Sequence, residues 1–282
     1  MNVVRDHNLL RPGESRTRIE RHAAMKTTGV ILSLALAIGL TACPAQEPVP
    51  PRIAIIRQAG KLVVATAITR PFEYLDERTN QLVGFDVDLA QIIARRIGAP
   101  VEWKVMGFAD LLPALQGEQV DTVIAAMYIT PQRLQIVDMS QPYLNTGLVV
   151  VVRANETTIN GLMDLPGKIV GVKEEATGAR YAARLKEEGI PIAVQRYLET
   201  TDSLDELERG YVDAVFNDRL NTVEYIKTHP NIKIVGEVFD PAGLGIAVRK
   251  DDTDLLALIN AVIRSAQASG ELDRLYARWI GK

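Results

Sequence analysis

Residues 84–97 read GFDVDLAQIIARRI, and Gly98 follows. Val87, Ala90, Ile93 and Ile97 fall near one face at helical spacing, with Leu89 and Ile92 close by. Asp86 and Asp88 open the segment and Arg95 and Arg96 close it, which complements a helix dipole, and the glycine stands where a helix stops. The segment is therefore predicted to be a helix. Before it, KLVVATA (61–67) is a short apolar run that reads as a buried strand. After it come a strand around VEWKVM (101–106), a helix around ADLLPALQ (109–116) and a strand at VDTVIAAM (120–127). Strands alternating with helices imply βαβ units and a mainly parallel sheet.

The second half repeats this plan. Gly60-Lys61-Leu62-Val63-Val64 is similar to Gly167-Lys168-Ile169-Val170-Gly171, and LQGEQVDTVI (115–124) to LERGYVDAVF (207–216). The offsets of 107 and 92 residues are too long for a solenoid repeat. The pattern predicts two similar α/β lobes with a ligand cleft between them.

Composition narrows the function. The chain has 282 residues, a net charge of −3, 47% apolar and 24% charged residues, which suits a folded protein of one or two domains. That charge gives no footprint for nucleic acid, and no nucleic-acid partner is expected. One Cys excludes an intramolecular disulfide and a Cys-based zinc site. The three histidines, His7, His22 and His229, are scattered and none neighbours a nucleophile. Triad catalysis, metal sites and cofactors are therefore not expected.

Residues 1–42 carry six Lys/Arg and three Asp/Glu, a net +3, which leaves −6 on residues 43–282. Val30–Leu40, VILSLALAIGL, is uncharged but shorter than the roughly 20 residues a membrane-spanning helix needs. A basic flank, a short apolar run and small residues describe an export signal, with Met25 as an alternative start. The run ends Leu40-Thr41-Ala42-Cys43, which resembles a bacterial lipoprotein signal; this implies lipidation of Cys43, against a buried free thiol. PAQEPVPPR follows and reads as a Pro-rich spacer.

In parallel α/β sheets ligands bind at the carboxyl ends of the strands. Three such ends carry suitable chemistry. In Tyr128-Ile129-Thr130-Pro131-Gln132-Arg133, Thr130 can cap a helix, Pro131 suits its first position, and Arg133 offers a fork to a carboxylate. The alternative is an Arg paired with a structural carboxylate. Thr177 follows the strand KIVGVK and can donate to the same anion or simply cap a helix. Asp218 ends VDAVF and can receive an ammonium group or cap the next helix. Phe72 and Phe108 can supply pocket walls or core.

Taken in order, these segments resemble family 3 of the bacterial solute-binding proteins, the polar amino-acid binders of ABC importers. The resemblance runs from Gly60 to Trp279 and includes GFDVDL, PFEY, LLPALQ, VDTVIAAM, ITPQR, QPYLNTG, VDAVFND and YARWIG. It implies an α/β fold of two lobes joined by two crossing strands, with hinges near Thr146–Val152 and Gly245–Val248. Residues 1–42 would be the lipoprotein export signal and 43–52 the linker. Lobe 1 would be 53–147 plus 248–282, and 148–247 the hinge strands and lobe 2. It implies that Arg133 grips an α-carboxylate, helped by Thr177, that Asp218 takes the α-ammonium, that Phe108 packs on the ligand, and that Ala125 and Ala126 contact it through backbone.

Three positions depart from the family pattern: Thr66 replaces an acid, Thr69 an aromatic, and Tyr128 a small hydroxyl residue. A Tyr there fills pocket volume. Glu175, if it faced the cleft, would suit a cationic side chain; the alternative is a surface pair with Lys173 or Arg180. The resemblance implies a monomeric, periplasmic, lipid-anchored protein that captures an amino acid or related zwitterion and delivers it to an ABC permease, without catalysis. The alternative is an enzyme like cyclohexadienyl dehydratase on the same fold, for which Glu73, Glu174 and Glu175 are the candidate acids.

Overall fold

The computed structural model describes residues 51–281. The expected export signal, Cys43 and most of the expected Pro-rich spacer lie outside the described residues. The chain enters through α1 (Arg52–Ala59), β1 (Leu62–Thr66), a small antiparallel pair of β2 (Tyr74–Leu75) and β3 (Leu82–Val83), α2 (Phe85–Ile97) and β4 (Val101–Val105). It continues through α3 (Leu111–Gln116), β5 (Thr122–Val123), α4 (Pro131–Ile136), β6 (Asp138–Met139) and β7 (Leu144–Arg153). Then come β8 (Ile169–Lys173), α5 (Thr177–Glu187), β9 (Ala193–Tyr197), α6 (Thr200–Arg209), β10 (Ala214–Asp218), α7 (Arg219–Ile226) and β11 (Ile232–Leu244). The chain closes with β12 (Ala247–Val248), α8 (Thr253–Ala268) and α9 (Glu271–Trp279).

Helix α2 forms where the periodicity puts it. It buries Phe85, Val87, Leu89, Ala90, Ile93, Ala94 and Ile97, and Gly98 ends it in the left-handed region with its N–H on Ala94 O. Each large apolar side chain so buried contributes about 1.5–3 kcal/mol. Asp86, which as a first-turn acid should face solvent, is instead fully buried.

Two five-stranded sheets give the two-lobed α/β architecture. Their orders are β4-β1-β5-β12-β6 and β11-β7-β10-β8-β9. In each, the three βαβ strands are parallel (β4, β1, β5 and β9, β8, β10), and the strands that bring the chain across from the other sheet add antiparallel. The repeat is physical. Asp121 accepts from Val63 N–H at 2.8 Å and Asp213 from Ile169 N–H at 2.8 Å. Arg249 donates to Leu115 O and Val120 O, and Arg153 to the equivalent Leu207 O and Val212 O, so each arginine braces the same helix-to-strand turn. Pairing of Val64 with Thr122 and of Val170 with Ala214 shows that the Gly-Lys alignment of the two halves is one residue out of register.

Three boundaries differ from expectation. Arg52, placed in the spacer, is the first residue of α1; its backbone N–H binds Asp254 and its guanidinium pairs with Asp121 at 2.7 Å. The strand expected over 120–127 is hydrogen-bonded only at Thr122–Val123, because the chain turns away at Ala126, whose φ is 45°. Residues 144–147, assigned to lobe 1, belong to β7 and pair with β11 in the second sheet. The first crossing thus lies ahead of the expected Thr146–Val152, where Ser140 N–H donates to Ile246 O and Tyr143 N–H to Leu244 O.

Candidate functional site

The carboxyl ends of β1, β5, β8 and β10 converge on one cavity between the sheets. Arg133, Asp218, Thr177, Phe108, Ala126, Tyr128, Thr69 and Ala125 all line it, as do Phe72, Lys173, Ala176 and Gly178. The topology therefore brings together every ligand-binding candidate read from the sequence. Phe72 is also fully buried core, so both of its readings hold.

Arg133 occupies the third position of α4. Pro131 starts that helix, and the Thr130 side chain caps it by accepting from Arg133 N–H at 3.4 Å. Arg133 is 3% exposed. It donates to Tyr128 O at 2.8 Å and, across to the second sheet, to Glu175 O at 3.2 Å. It lies 5.3 Å from the Phe108 ring centroid. Burial, then the Arg180 cation, push it down to about 9, which still leaves it charged at neutral pH. Among the described residues it forms no ion pair. The Glu175 charge acts on it only in part, so the buried cation is under-compensated, and a carboxylate in the cavity would relieve that cost.

Facing it, α5 begins at Thr177 with Ala176 at its N-cap, a residue whose side chain cannot cap. First-turn N–H groups are therefore left for an acceptor. The Thr177 hydroxyl is buried and has no partner among the described residues. Gly178 packs so tightly on Phe216 that a Cβ there would come within 2.9 Å of its carbonyl oxygen.

Asp218 both caps a helix and lines the cavity. Its Oδ1 accepts from Asn221 N–H at 2.9 Å at the start of α7. Its Oδ2 accepts from the Tyr128 hydroxyl at 2.6 Å and the Thr146 hydroxyl at 2.7 Å. Burial raises its pKa, while hydrogen bonds from Tyr128, Asn221 and Thr146 work against that. Burial, then the Asp218 charge, push Tyr128 upward, so its hydroxyl keeps its proton. Tyr128 thus spans the cleft as a donor as well as filling it.

Of the other departures, Thr66 is buried and donates to Ile124 O at 2.7 Å, a structural role. Lys173 pairs with Glu199 at 3.0 Å, not with Glu175, because it points inward at the end of β8 while Glu175 is exposed. The sequence did not single out Asp86. It accepts from Ala126 N–H at 2.7 Å and from the Tyr143 hydroxyl at 2.9 Å, holding the cavity-lining turn at Ala126 in place. The only available signal was an acid on the apolar side of α2. Glu73 lies beside Asp86, fully buried, with both carboxyl oxygens unpartnered among the described residues. Burial, then the Asp86 charge, hold its pKa well above the carboxylate range.

Two α/β lobes with a charged cavity at their strand ends define a ligand-binding protein of the two-lobed type. Residues 62–282 match the bacterial extracellular solute-binding proteins, family 3, and the chain belongs to that family. It is 31% identical over 228 residues to the L-cystine-binding protein TcyJ of Escherichia coli (strain K12), covering 80% of this chain and 85% of that one. The arginine-bound form of truncated ArgBP from T. maritima is 39% identical with a TM-score of 0.71, covering 75% and 99% of the two chains. The ancestral amino acid-binding protein AncCDT-1, a precursor of cyclohexadienyl dehydratase, is 30% identical with a TM-score of 0.75, covering 81% and 99%. Among the described residues no helix is long and apolar enough to cross a membrane, and no group of three potential metal ligands occurs.

Proposed function

We propose that the protein captures an amino acid or related zwitterion between its lobes and delivers it to an ABC permease. The observation that carries this reading is the buried Arg133 guanidinium, which has no ion-pair partner among the described residues, opposite the uncapped start of α5 and the Thr177 hydroxyl, which has no partner among them either. Arg133 and the α5 N-terminus take the carboxylate. Asp218 takes the ammonium in competition with Tyr128. Phe108 packs on the ligand, and the turn at Ala125–Ala126 and Thr69 form the first-lobe wall. Tyr128 and Arg133 already contact second-lobe atoms, so their contacts count toward closure as well as toward ligand. Capture is a hinge closure with no bond made or broken.

The dehydratase reading is less well supported, despite the similarity to AncCDT-1. Glu73, Glu174 and Glu175 are absent from the residues that line the cavity. Release of phenylpyruvate from prephenate by the pure protein would reverse that preference. Export with lipidation at Cys43, which rests on the leader and spacer sequences, and a monomeric state, which rests on the family resemblance, complete the proposal. Calorimetric titration with an amino-acid panel tests the binding reading, which fails if none binds. Fractionation of cells making a Cys43→Ala variant tests the anchor, which fails if the variant stays with membranes.

A further inference from the structure

Two cations, not one, are buried against the cavity. Lys173 ends β8 with 6% of its surface exposed. Its ammonium lies 5.2 Å from the centroid of the Phe108 ring, the ring that also sits 5.3 Å from the Arg133 guanidinium. Phe108 therefore carries one cation from each lobe. An ammonium has three donors, and among the described residues Lys173 spends one, on Glu199 at 3.0 Å. Glu199 stands on the rim, its side chain 38% exposed, where water weakens its hold.

The anionic side of the cavity is thinner. Asp218 is the one carboxylate among its lining residues, and Tyr128, Thr146 and Asn221 N–H already donate to it. Glu73 lies near enough to feel Lys173, but burial and Asp86 favour its neutral form, so it does little to offset the ammonium. A ligand with a cationic side chain would meet Lys173 with no unengaged carboxylate among the lining residues to receive it; Glu175 is exposed and lines an adjoining cavity with Phe108 and Arg133.

We infer that Lys173 is a specificity-determining residue, and that the cavity selects a zwitterion carrying a second carboxylate, an acidic amino acid, over neutral and cationic ones. This rests on the amino-acid-binding function proposed above. Arg133 takes the α-carboxylate, and the free donors of Lys173 take the second.

Calorimetry of the purified protein with L-glutamate, L-aspartate, L-glutamine, L-alanine, L-arginine and L-lysine tests it. The acidic ligands are expected to bind roughly tenfold or more tightly than the rest, the size of one charge-assisted hydrogen bond. Lys173→Met should abolish that discrimination, and Lys173→Arg, which keeps the charge, should retain it. Tighter binding of glutamine, alanine, arginine or lysine overturns the selectivity alone and leaves amino-acid binding standing. Undiminished discrimination in Lys173→Met also overturns the inference. Binding of none of the six overturns both readings. Should Lys173→Met fail to fold, the wild-type ranking and Lys173→Arg still decide.

Discussion

The hydroxyl of Tyr128, on the first lobe, donates to Asp218 Oδ2, on the second, across 2.6 Å. Asp218 is thereby supplied with donors before any ammonium reaches it, and the two lobes are tied at the site where a ligand would tie them. A hydrogen bond to a charged group is worth about 1.5–3 kcal/mol. Tyr128→Phe should therefore favour the open arrangement when no ligand is added. It should also sharpen the preference for ligands with an ammonium over the corresponding carboxylates without one, because Asp218 then loses one of its three donors. Small-angle scattering should give a larger radius of gyration for the variant than for wild type. Equal radii would mean that the contact does not hold the lobes together.

Arg133 presents the reverse case, a donor with no ion-pair partner among the described residues. Loss of one partner from a buried ion pair commonly costs 2–5 kcal/mol, so Arg133→Met should weaken binding at least about thirtyfold. The same substitution removes an unpaired buried charge and keeps much of the apolar stem. Stability in urea, with no ligand added, should hold or rise. A binding constant close to wild type would remove Arg133 from the carboxylate site. A large loss of stability would make it a structural residue.

The architecture was legible because its signals are local. Helix α2 announces itself by apolar spacing and terminal charges, and the Thr130-Pro131 start of α4 by two adjacent residues whose chemistry suits those positions. The convergence of Arg133, Thr177 and Asp218 came from topology, since Asp218 ends β10, Thr177 opens the helix after β8, and Arg133 lies in the helix that follows β5. Contacts between distant segments left no such trace. Nothing near Lys173 in sequence points to Glu199 or Phe108, and nothing near Arg153 and Arg249 indicates that they brace equivalent turns. Asp86 misled because a charged residue in a first turn usually caps or faces water, whereas here a buried backbone N–H and a tyrosine hydroxyl compensate it.

Gly84 sits at the N-cap of α2 with φ at 137°, and a Cβ there would lie 2.2 Å from Phe72 O. The obstacle is backbone, which cannot rotate away as a side chain can. Phe72 O in turn accepts from Asp86 N–H at 2.9 Å, so the wall of the cavity and the start of the helix share this contact. Gly84→Ala should cost more than about 2 kcal/mol, from strain at a positive φ plus the clash. Urea unfolding measures it. A change under about 0.5 kcal/mol, the size of an ordinary surface substitution, would show that the loop yields easily.

The Glu73–Asp86 pair gives stability an unusual slope with pH. Asp86 is pushed up to about 6 from an ordinary 3.8, chiefly by burial. Between those values the folded protein holds a proton that the unfolded chain has released, so stability falls as pH rises. The contribution is complete below 3.8 and is lost as pH passes through about 6. Glu73, raised by burial and then by Asp86, acts in the same direction. Glu156 works oppositely: hydrogen bonds from Thr158 hold it at about 2, so its contribution is present above 4.5 and lost as pH falls through about 2. Urea midpoints of wild type should therefore decline between about pH 4 and pH 6.5. Asp86→Asn keeps an oxygen for Ala126 N–H and Tyr143 but cannot ionise, so its decline over that window should be shallower. Parallel curves for the two proteins would mean that Asp86 is already ionised across the whole range. A steeper curve in the variant would reverse the assigned sign.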